Sequence, residues 1–331
     1  MSGAWITAAL LPPVLCAAII AWLRRSRLTH VLQDRPNERS LHDEPRPRVG
    51  GIGLVAAAVC VGWALAGRET ALPLALAAGL AVVSLADDRR SLPIAVRLAA
   101  HMAAALAVAF TCLPVQWPVA LVAALAIAWM TNLYNFMDGA DGLAGGMGLI
   151  GFATLAAGAA MANDMPLAWT CTCIASACAG FLLHNFPPAR VFLGDAGSIP
   201  LGFLAGALGV LGAARHAWPA WFPALAFAPF IVDASVTLLR RAVRREKFWR
   251  AHRTHAYQRL VLAGWTHRRL ALSAYAVMCL SSFCAVLALR AGAPGRSVII
   301  GIWIAALALA FLALERRLAR AAVPPCPGPD R

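Results

Sequence analysis

Charge is scarce in this chain. Only 13% of its 331 residues are Asp, Glu, Lys or Arg, while 61% are hydrophobic. Soluble domains carry about 25% charged residues, so the composition excludes that class. No internal repeat of about 20–50 residues is visible, which argues against a solenoid. No Gly-x-x-x-x-Gly-Lys run occurs, so P-loop nucleotide hydrolysis has no support. The nine cysteines are an odd number, and all but Cys326 lie in or beside apolar runs, which argues against a disulfide framework. Cys171-Thr-Cys173 has no His or carboxylate near it and reads as small core residues rather than a metal pair. The first apolar run lacks a basic segment before it and is followed by Arg24, Arg25 and Arg27. It reads as a retained span, not a cleaved leader.

What the chain has instead is a series of apolar runs of membrane length, at about 4–23, 50–66, 70–86, 93–112, 116–134, 143–162, 167–185, 198–214, 217–239, 270–289 and 297–314. The connections leave no room for a separate soluble domain. The fold class this predicts is all-α: a polytopic transmembrane helical bundle of about eleven spans. One domain covers 1–320, and a Pro-rich tail, 321–331, reads as disordered.

The charge that is present is lopsided, with 29 Lys and Arg against 15 Asp and Glu, a net +14. If residue 1 starts outside, only Arg68, Arg215, Arg290 and Arg296 fall on outer connections. The bias predicts an outside N-terminus and a cytoplasmic C-terminus. The basic face serves topology and anionic headgroups, or in part cradles a phosphorylated substrate. No soluble basic module exists, so nucleic acid is not an expected partner.

Against this background one stretch stands out: Asn132-Leu-Tyr-Asn135-Phe-Met-Asp138-Gly-Ala-Asp141-Gly-Leu-Ala144. Two amides and two carboxylates recur every third residue, which on a helix puts them on roughly one face. A carboxylate drawn to the bilayer centre costs about 2.5–3.5 kcal/mol. Such a cluster suits a cation, a polar substrate, or both.

The expected topology gathers four further segments on the same side. Asp34 to His42 and Pro45 to Gly51 form a basic, Pro-rich connection containing Arg48. Asp87-Asp88 ends the third span. Two adjacent carboxylates repel unless a cation is near, and Mg²⁺ would resolve this. A helix end in solvent is the plain alternative. Asp195 lies in Gly-Asp-Ala-Gly-Ser before an apolar helix, where it suits either capping or phosphate. Phe192 just before it is a packing residue or a stacking face for a base. His252 and His255 lie in a basic loop and suit phosphate or proton transfer better than zinc, because no third ligand has suitable spacing. Asp233, a lone carboxylate within an apolar run, is expected to pair with Arg240 or Arg241 or to line a groove.

Taken together, Asn-x-x-Asn-x-x-Asp-Gly-x-Asp-Gly-Leu-Ala, Asp-Asp and Gly-Asp-x-Gly-Ser resemble the polyprenyl-phosphate N-acetylhexosamine-1-phosphate transferases. The resemblance runs from Asp34 to about Arg259. It implies a multi-pass enzyme of the bacterial inner membrane with its active site on the cytoplasmic face. The partners implied are a UDP-N-acetylhexosamine, a polyprenyl phosphate, the membrane and a second copy in a homodimer. The implied cofactor is Mg²⁺, with Mn²⁺ as the alternative. Asp87 and Asp195 match the family's metal-binding aspartates, and Asp88 matches a carboxylate near the lipid phosphate, a candidate base. Asn135, Asp138 and Asp141 match the nucleotide and metal region, with Asp141 nearest the uracil, and Asn132 is expected to bind substrate beside them. Phe192 matches an aromatic beside the base. His252 and His255 stand where the family has a histidine motif for the diphosphate, and Arg48 and Arg259 are expected to bind substrate.

Two departures set the chain apart from the peptidoglycan-precursor branch. Ser91 replaces that branch's lysine, and the histidines are split as His-Arg-Thr-His. Asp-x-Pro-Asn-x-Arg-Ser-x-His and His-Arg-x-His-Ala-Tyr-Gln-Arg are similar to the O-antigen-initiating branch, whose donors include UDP-GlcNAc, UDP-FucNAc and UDP-QuiNAc. A single displacement on the donor is the implied route, and a phospho-aspartate on Asp87 or Asp88 competes with it. A transporter or flippase of lipid-linked sugars is the rival class. It would place ionisable groups near the bilayer midplane, where only Asp233 is expected here.

Overall fold

The structure, a computed structural model, describes residues 2–27, 29, 32–34, 44–90, 92–114, 116–247 and 252–321. Asn37, Arg39, His42, Ser91 and the tail beyond residue 321 lie outside the described residues. Helices dominate: α1 (Ser2–Leu23), α2 (Gly50–Arg90), α3 (Ile94–Cys112), α4 (Trp117–Phe136), α5 (Leu143–Met161), α6 (Met165–Asn185) and α7 (Asp195–Ala214). After these come α8 (Trp221–Ala226), α9 (Ala228–Val243), α10 (Ala256–Leu262), α11 (His267–Arg290) and α12 (Ala293–Ala321). The one sheet among the described residues pairs β1 (Gln33–Asp34) with β2 (Arg46–Pro47), antiparallel.

Among the described residues, nine helices are long and apolar enough to cross a membrane. The protein is therefore an all-α, multi-pass membrane bundle. Two of the expected runs take a different form. The run at 50–66 is a shorter helix, Gly50–Leu65, joined to Thr70–Arg90 through a break at Gly67, whose φ of 68° is the left-handed region. The run at 217–239 is not one rod. It divides at Phe227, which ends α8 and begins α9, with Pro229 in the first turn of α9. Proline has no N–H to donate and is best placed in the first turn of a helix. An unbroken apolar pattern in sequence could not reveal that division.

The best-buried helices are α5, α6 and α7, and the bundle closes round them. Its largest fully buried side chains include Tyr134, Phe152, Phe181, Phe203, Phe222, Phe227 and Phe230. Small residues set the closest approach. A Cβ on Gly202 would lie 2.7 Å from the Met130 carbonyl oxygen, and one on Gly206 would lie 2.9 Å from Ile127 Cα. These two glycines, one turn apart on α7, let the α4 backbone press against it, as small residues do in membrane bundles. That contact brings the end of α4 to the start of α7, where the polar residues meet. Cys171 and Cys173 are buried and free, as core residues should be.

Candidate active site

The Asn-Asp run does not stay helical. Asn132 and Asn135 lie on α4, which ends at Phe136, so Asp138 and Asp141 project from the turn that follows. The expected single helical face fails there. Gly142, with a φ of 74°, reverses the chain before α5. Its N–H donates to Asn185 Oδ1 at 2.9 Å, and Asn185 Nδ2 donates to the Val191 carbonyl at 2.9 Å.

The turn is held from several sides. The chain has three tyrosines. Tyr134 donates its hydroxyl to the Ala144 carbonyl at 2.7 Å, Tyr257 to Phe136 at 2.9 Å and Tyr275 to Gly142 at 2.7 Å. All three phenols thus end on the backbone of residues 136–144. Asp141 adds a further tie. Its Oδ2 accepts the Ala189 N–H at 3.0 Å, and its Oδ1 lies 3.4 Å from His267 Nδ1. Burial opposes ionisation of Asp141, but the bonds from His267 and Ala189 outweigh it and hold the carboxyl below its ordinary range.

The carboxylates themselves face one another. Asn135 Nδ2 donates to Asp195 Oδ1 at 3.0 Å and to Ser198 Oγ at 2.9 Å, which fixes the head of α7 against α4. Asp88 is crowded by the like charges of Asp195, Asp87 and Asp34, in that order, and Arg48 opposes them. Its Oδ2 is buried with no hydrogen-bond partner among the described residues. Asp138 is pushed well above the ordinary carboxylate range by burial and then by Asp195, while Arg48, set against Asp34, and the Gly194 N–H offset this only in part. Arg48 bonds Asp34 at 2.6 Å and lies 3.7 Å from Asp88. The β1–β2 pairing and the Arg48 N–H bond to the Leu32 carbonyl, 2.8 Å, hold it there. Phe192, half-buried, runs beside the same strand, its N–H donating to the Pro47 carbonyl at 2.9 Å.

Asp87 is occupied differently from its neighbour. Its Oδ1 accepts the Leu92 N–H at 2.6 Å and its Oδ2 meets Arg97 at 2.8 Å. Both of its oxygens are engaged in closing the turn into α3. Arg97 was not singled out from the sequence, and neither was His101 one turn further along α3. His101 is 6% exposed, shares a side-chain hydrogen bond with Asn132 and feels Asp195. The signal was present: two ionisable residues four apart in an apolar span.

The histidine segment is split in role. His252 is half-buried, with Thr254 Oγ1 at 2.9 Å from its Nδ1. His255 is 2% exposed and packs its ring against Phe136, Tyr257 and His252. Asp233 does not pair with Arg240 or Arg241. Its carboxylate accepts the backbone N–H groups of Ala256 and Tyr257 at 2.8 and 3.1 Å. Arg240 instead joins Glu315 on α12. Arg259 meets the two oxygens of Glu315 at 2.6 Å each, and no bond between Arg259 and the aspartates is found among the described residues.

Among the described residues, no three His, Cys, Asp or Glu side chains close round one point that could hold a metal ion. Asp88, Asp138 and Asp195 form an acidic cluster, with Arg48 beside it and Arg97 bound to the neighbouring Asp87. The fold is that of a multi-pass membrane protein with clustered carboxylates at the end of α4 and the start of α7. Residues 70–213 match the profile of Glycosyl transferase family 4. The chain is 28% identical over 273 residues to a probable undecaprenyl-phosphate N-acetylglucosaminyl 1-phosphate transferase of Bacillus subtilis, covering 76% of each protein. It is 30% identical over 315 residues to a decaprenyl-phosphate N-acetylglucosaminephosphotransferase of Mycolicibacterium smegmatis, covering 79% of this chain and 77% of the relative. A phospho-N-acetylmuramoyl-pentapeptide-transferase of Rippkaea orientalis is 32% identical over 238 residues, covering 62% of this chain and 64% of the relative. The chain belongs to the polyprenyl-phosphate hexosamine-1-phosphate transferase family.

Proposed function

We propose that the protein transfers N-acetylhexosamine-1-phosphate from a UDP-sugar to a polyprenyl phosphate of the inner membrane, with its site on the cytoplasmic face. The acceptor phosphate oxygen attacks the donor's β-phosphorus, the β-phosphorus to bridging-oxygen bond breaks, and UMP leaves with that oxygen. Sugar-diphospho-lipid remains. A phosphate monoester has a second pKa of about 6 and is largely dianionic at pH 7. No side chain has to remove its proton, so Asp88 is not needed as a base. The harder task is to hold several anions together.

The observation that carries this reading is the buried Oδ2 of Asp88, without a hydrogen-bond partner among the described residues and in the field of Asp195. Such a carboxylate gains from a divalent cation, and hard oxygen donors suit Mg²⁺. Asp88 and Asp195 are the residues that would hold it, with Mn²⁺ as the alternative ion, and Asp87, bonded to Arg97 and Leu92, keeps second lone pairs that could join them. Bound there, the ion would offset charge on the donor's diphosphate. Mg²⁺ commonly keeps waters and substrate phosphates as ligands, which fits a pocket without three enclosing side chains. Arg48 borders the same acidic cluster and suits the remaining phosphate charge; His252 is proposed to meet the diphosphate as a neutral hydrogen-bonding group. The apolar bundle keeps the acceptor's tail in lipid.

The His-Arg-Thr-His segment favours the branch that starts O-antigen or related envelope polysaccharide, with GlcNAc, FucNAc or QuiNAc as the sugar. The test is direct. Purified protein with polyprenyl phosphate, Mg²⁺ and each of UDP-GlcNAc, UDP-FucNAc and UDP-QuiNAc should release UMP with one donor well above the others. No UMP from any of them overturns the reading.

A further inference from the structure

A carboxylate kept within an apolar helix is costly unless its bonds repay it. Asp233 is 7% exposed on α9, and its oxygens take the N–H groups of Ala256 and Tyr257 together with the Thr237 hydroxyl at 3.2 Å. His255 Nδ1 lies 3.6 Å from Oδ1. The carboxylate therefore fixes where α10 begins, immediately after the histidine segment. An anion at the first amides of a helix is favourably placed, because those N–H groups have no partner within it.

Tyr257, whose amide Asp233 holds, carries that position across to the other half of the site. Its hydroxyl donates to Phe136, the last residue of α4 and two residues before Asp138. The phenol sits where Gly139 leaves room, since a Cβ there would come within 2.2 Å of the hydroxyl oxygen. The His255 ring lies between Phe136 and Tyr257, at centroid distances of 6.2 and 5.9 Å. Two segments more than a hundred residues apart in sequence are thus linked through Tyr257, whose backbone amide is held by Asp233 and whose hydroxyl bonds the Phe136 backbone.

We propose that Asp233 and Tyr257 are positioning residues for the transfer. Asp233 anchors the start of α10, and the Tyr257 hydroxyl sets the spacing between the histidine segment and the turn carrying Asp138 and Asp141. The catalytic part of this rests on the transferase reading, but the geometric part does not. A misplacement of about 1 Å at a reacting group can cost on the order of 100-fold in rate. Neither residue needs to touch substrate to matter.

Tyr257→Phe removes one oxygen and keeps the packing. It should lower kcat for UMP release at least about tenfold, leave the UDP-sugar KM within about threefold, and leave the unfolding temperature close to wild type. Amide hydrogen exchange, which needs no substrate, should speed up in both 136–144 and 252–262. Asp233→Asn keeps one acceptor and should give the same pattern. The double variant should be no more than about threefold worse than the worse single variant, because both act through α10. A wild-type kcat in Tyr257→Phe, or faster exchange in one segment only, would overturn the proposal. Absence of UMP release from the wild type would overturn the transferase reading instead, and the exchange data would still decide whether the two segments are coupled.

Discussion

Arg97 reaches back across the turn between α2 and α3 to hold Asp87 at 2.8 Å. The pair makes Asp87 a brace and leaves Asp88 to face Asp195. Replacing Arg97 by Met should free Asp87 to repel Asp88 and reopen the turn. The expected result is a loss of about 1.5–3 kcal/mol, the range for a hydrogen bond to a charged group, together with at least about tenfold lower UMP release. Thermal unfolding in detergent and a UMP assay check both parts.

Asp88 should behave in the opposite way. It sits among like charges with a buried oxygen that has no hydrogen-bond partner among the described residues. Asp88→Asn removes that repulsion without changing shape. The unfolding temperature in metal-free buffer should hold or rise while activity falls at least about tenfold. Mg²⁺ should raise the unfolding temperature of wild type by mass action and have a smaller effect on the variant. Equal shifts in the two proteins would rule out Asp88 as a ligand.

His252 gives a pH signature. Burial, then His255, Arg241 and Arg240, lower its pKa from the ordinary 6.5 to about 4. The folded protein therefore holds His252 neutral where the unfolded chain would protonate it. Between pH 6.5 and about 4 the unfolded state binds more protons, so stability rises with pH across this window and is lost as pH falls through it. His252→Gln should flatten that part of the profile, measured as unfolding temperature against pH. An unchanged slope would show that other groups carry it.

Gly202 tests the approach of α4 to α7. A methyl group there would meet the Met130 carbonyl oxygen at 2.7 Å. Gly202→Ala should cost about 1–3 kcal/mol through overpacking. It should also lower activity, because the same approach sets the Asn135 to Asp195 bond. A variant that is destabilised but fully active would separate packing from site geometry.

Much of this was legible in the chain itself. Apolar run lengths marked the helices, and the conjunction of Asp-Asp, the Asn-Asp run and Gly-Asp-Ala-Gly-Ser identified the family. Partner choice was not legible. Asp87 and Asp88 are adjacent letters, yet one faces Arg97 and the other Asp195, because successive helix residues point about 100° apart and the neighbouring helices decide what each meets. Asp233 could be expected to pair with Arg240 or Arg241 or to line a groove, but the backbone partners it takes come from the start of α10, 23 and 24 residues on. Arg259 carries its positive charge on the short helix α10, and only the arrival of Glu315 from the last helix determines where that charge goes. Sequence fixes residue chemistry and helical phase, while long-range contacts fix which lone pairs remain free.

The convergence of all three phenols on residues 136–144 has a practical consequence. The protein carries its own spectroscopic label. Uniform incorporation of 3-fluorotyrosine would place three fluorine nuclei in a 331-residue chain, all borne on rings hydrogen-bonded to the same short stretch. Titrating nucleotide, divalent ion or lipid phosphate into such a sample would read the site by ¹⁹F resonance with no background from the rest of the bundle and no mutation at all.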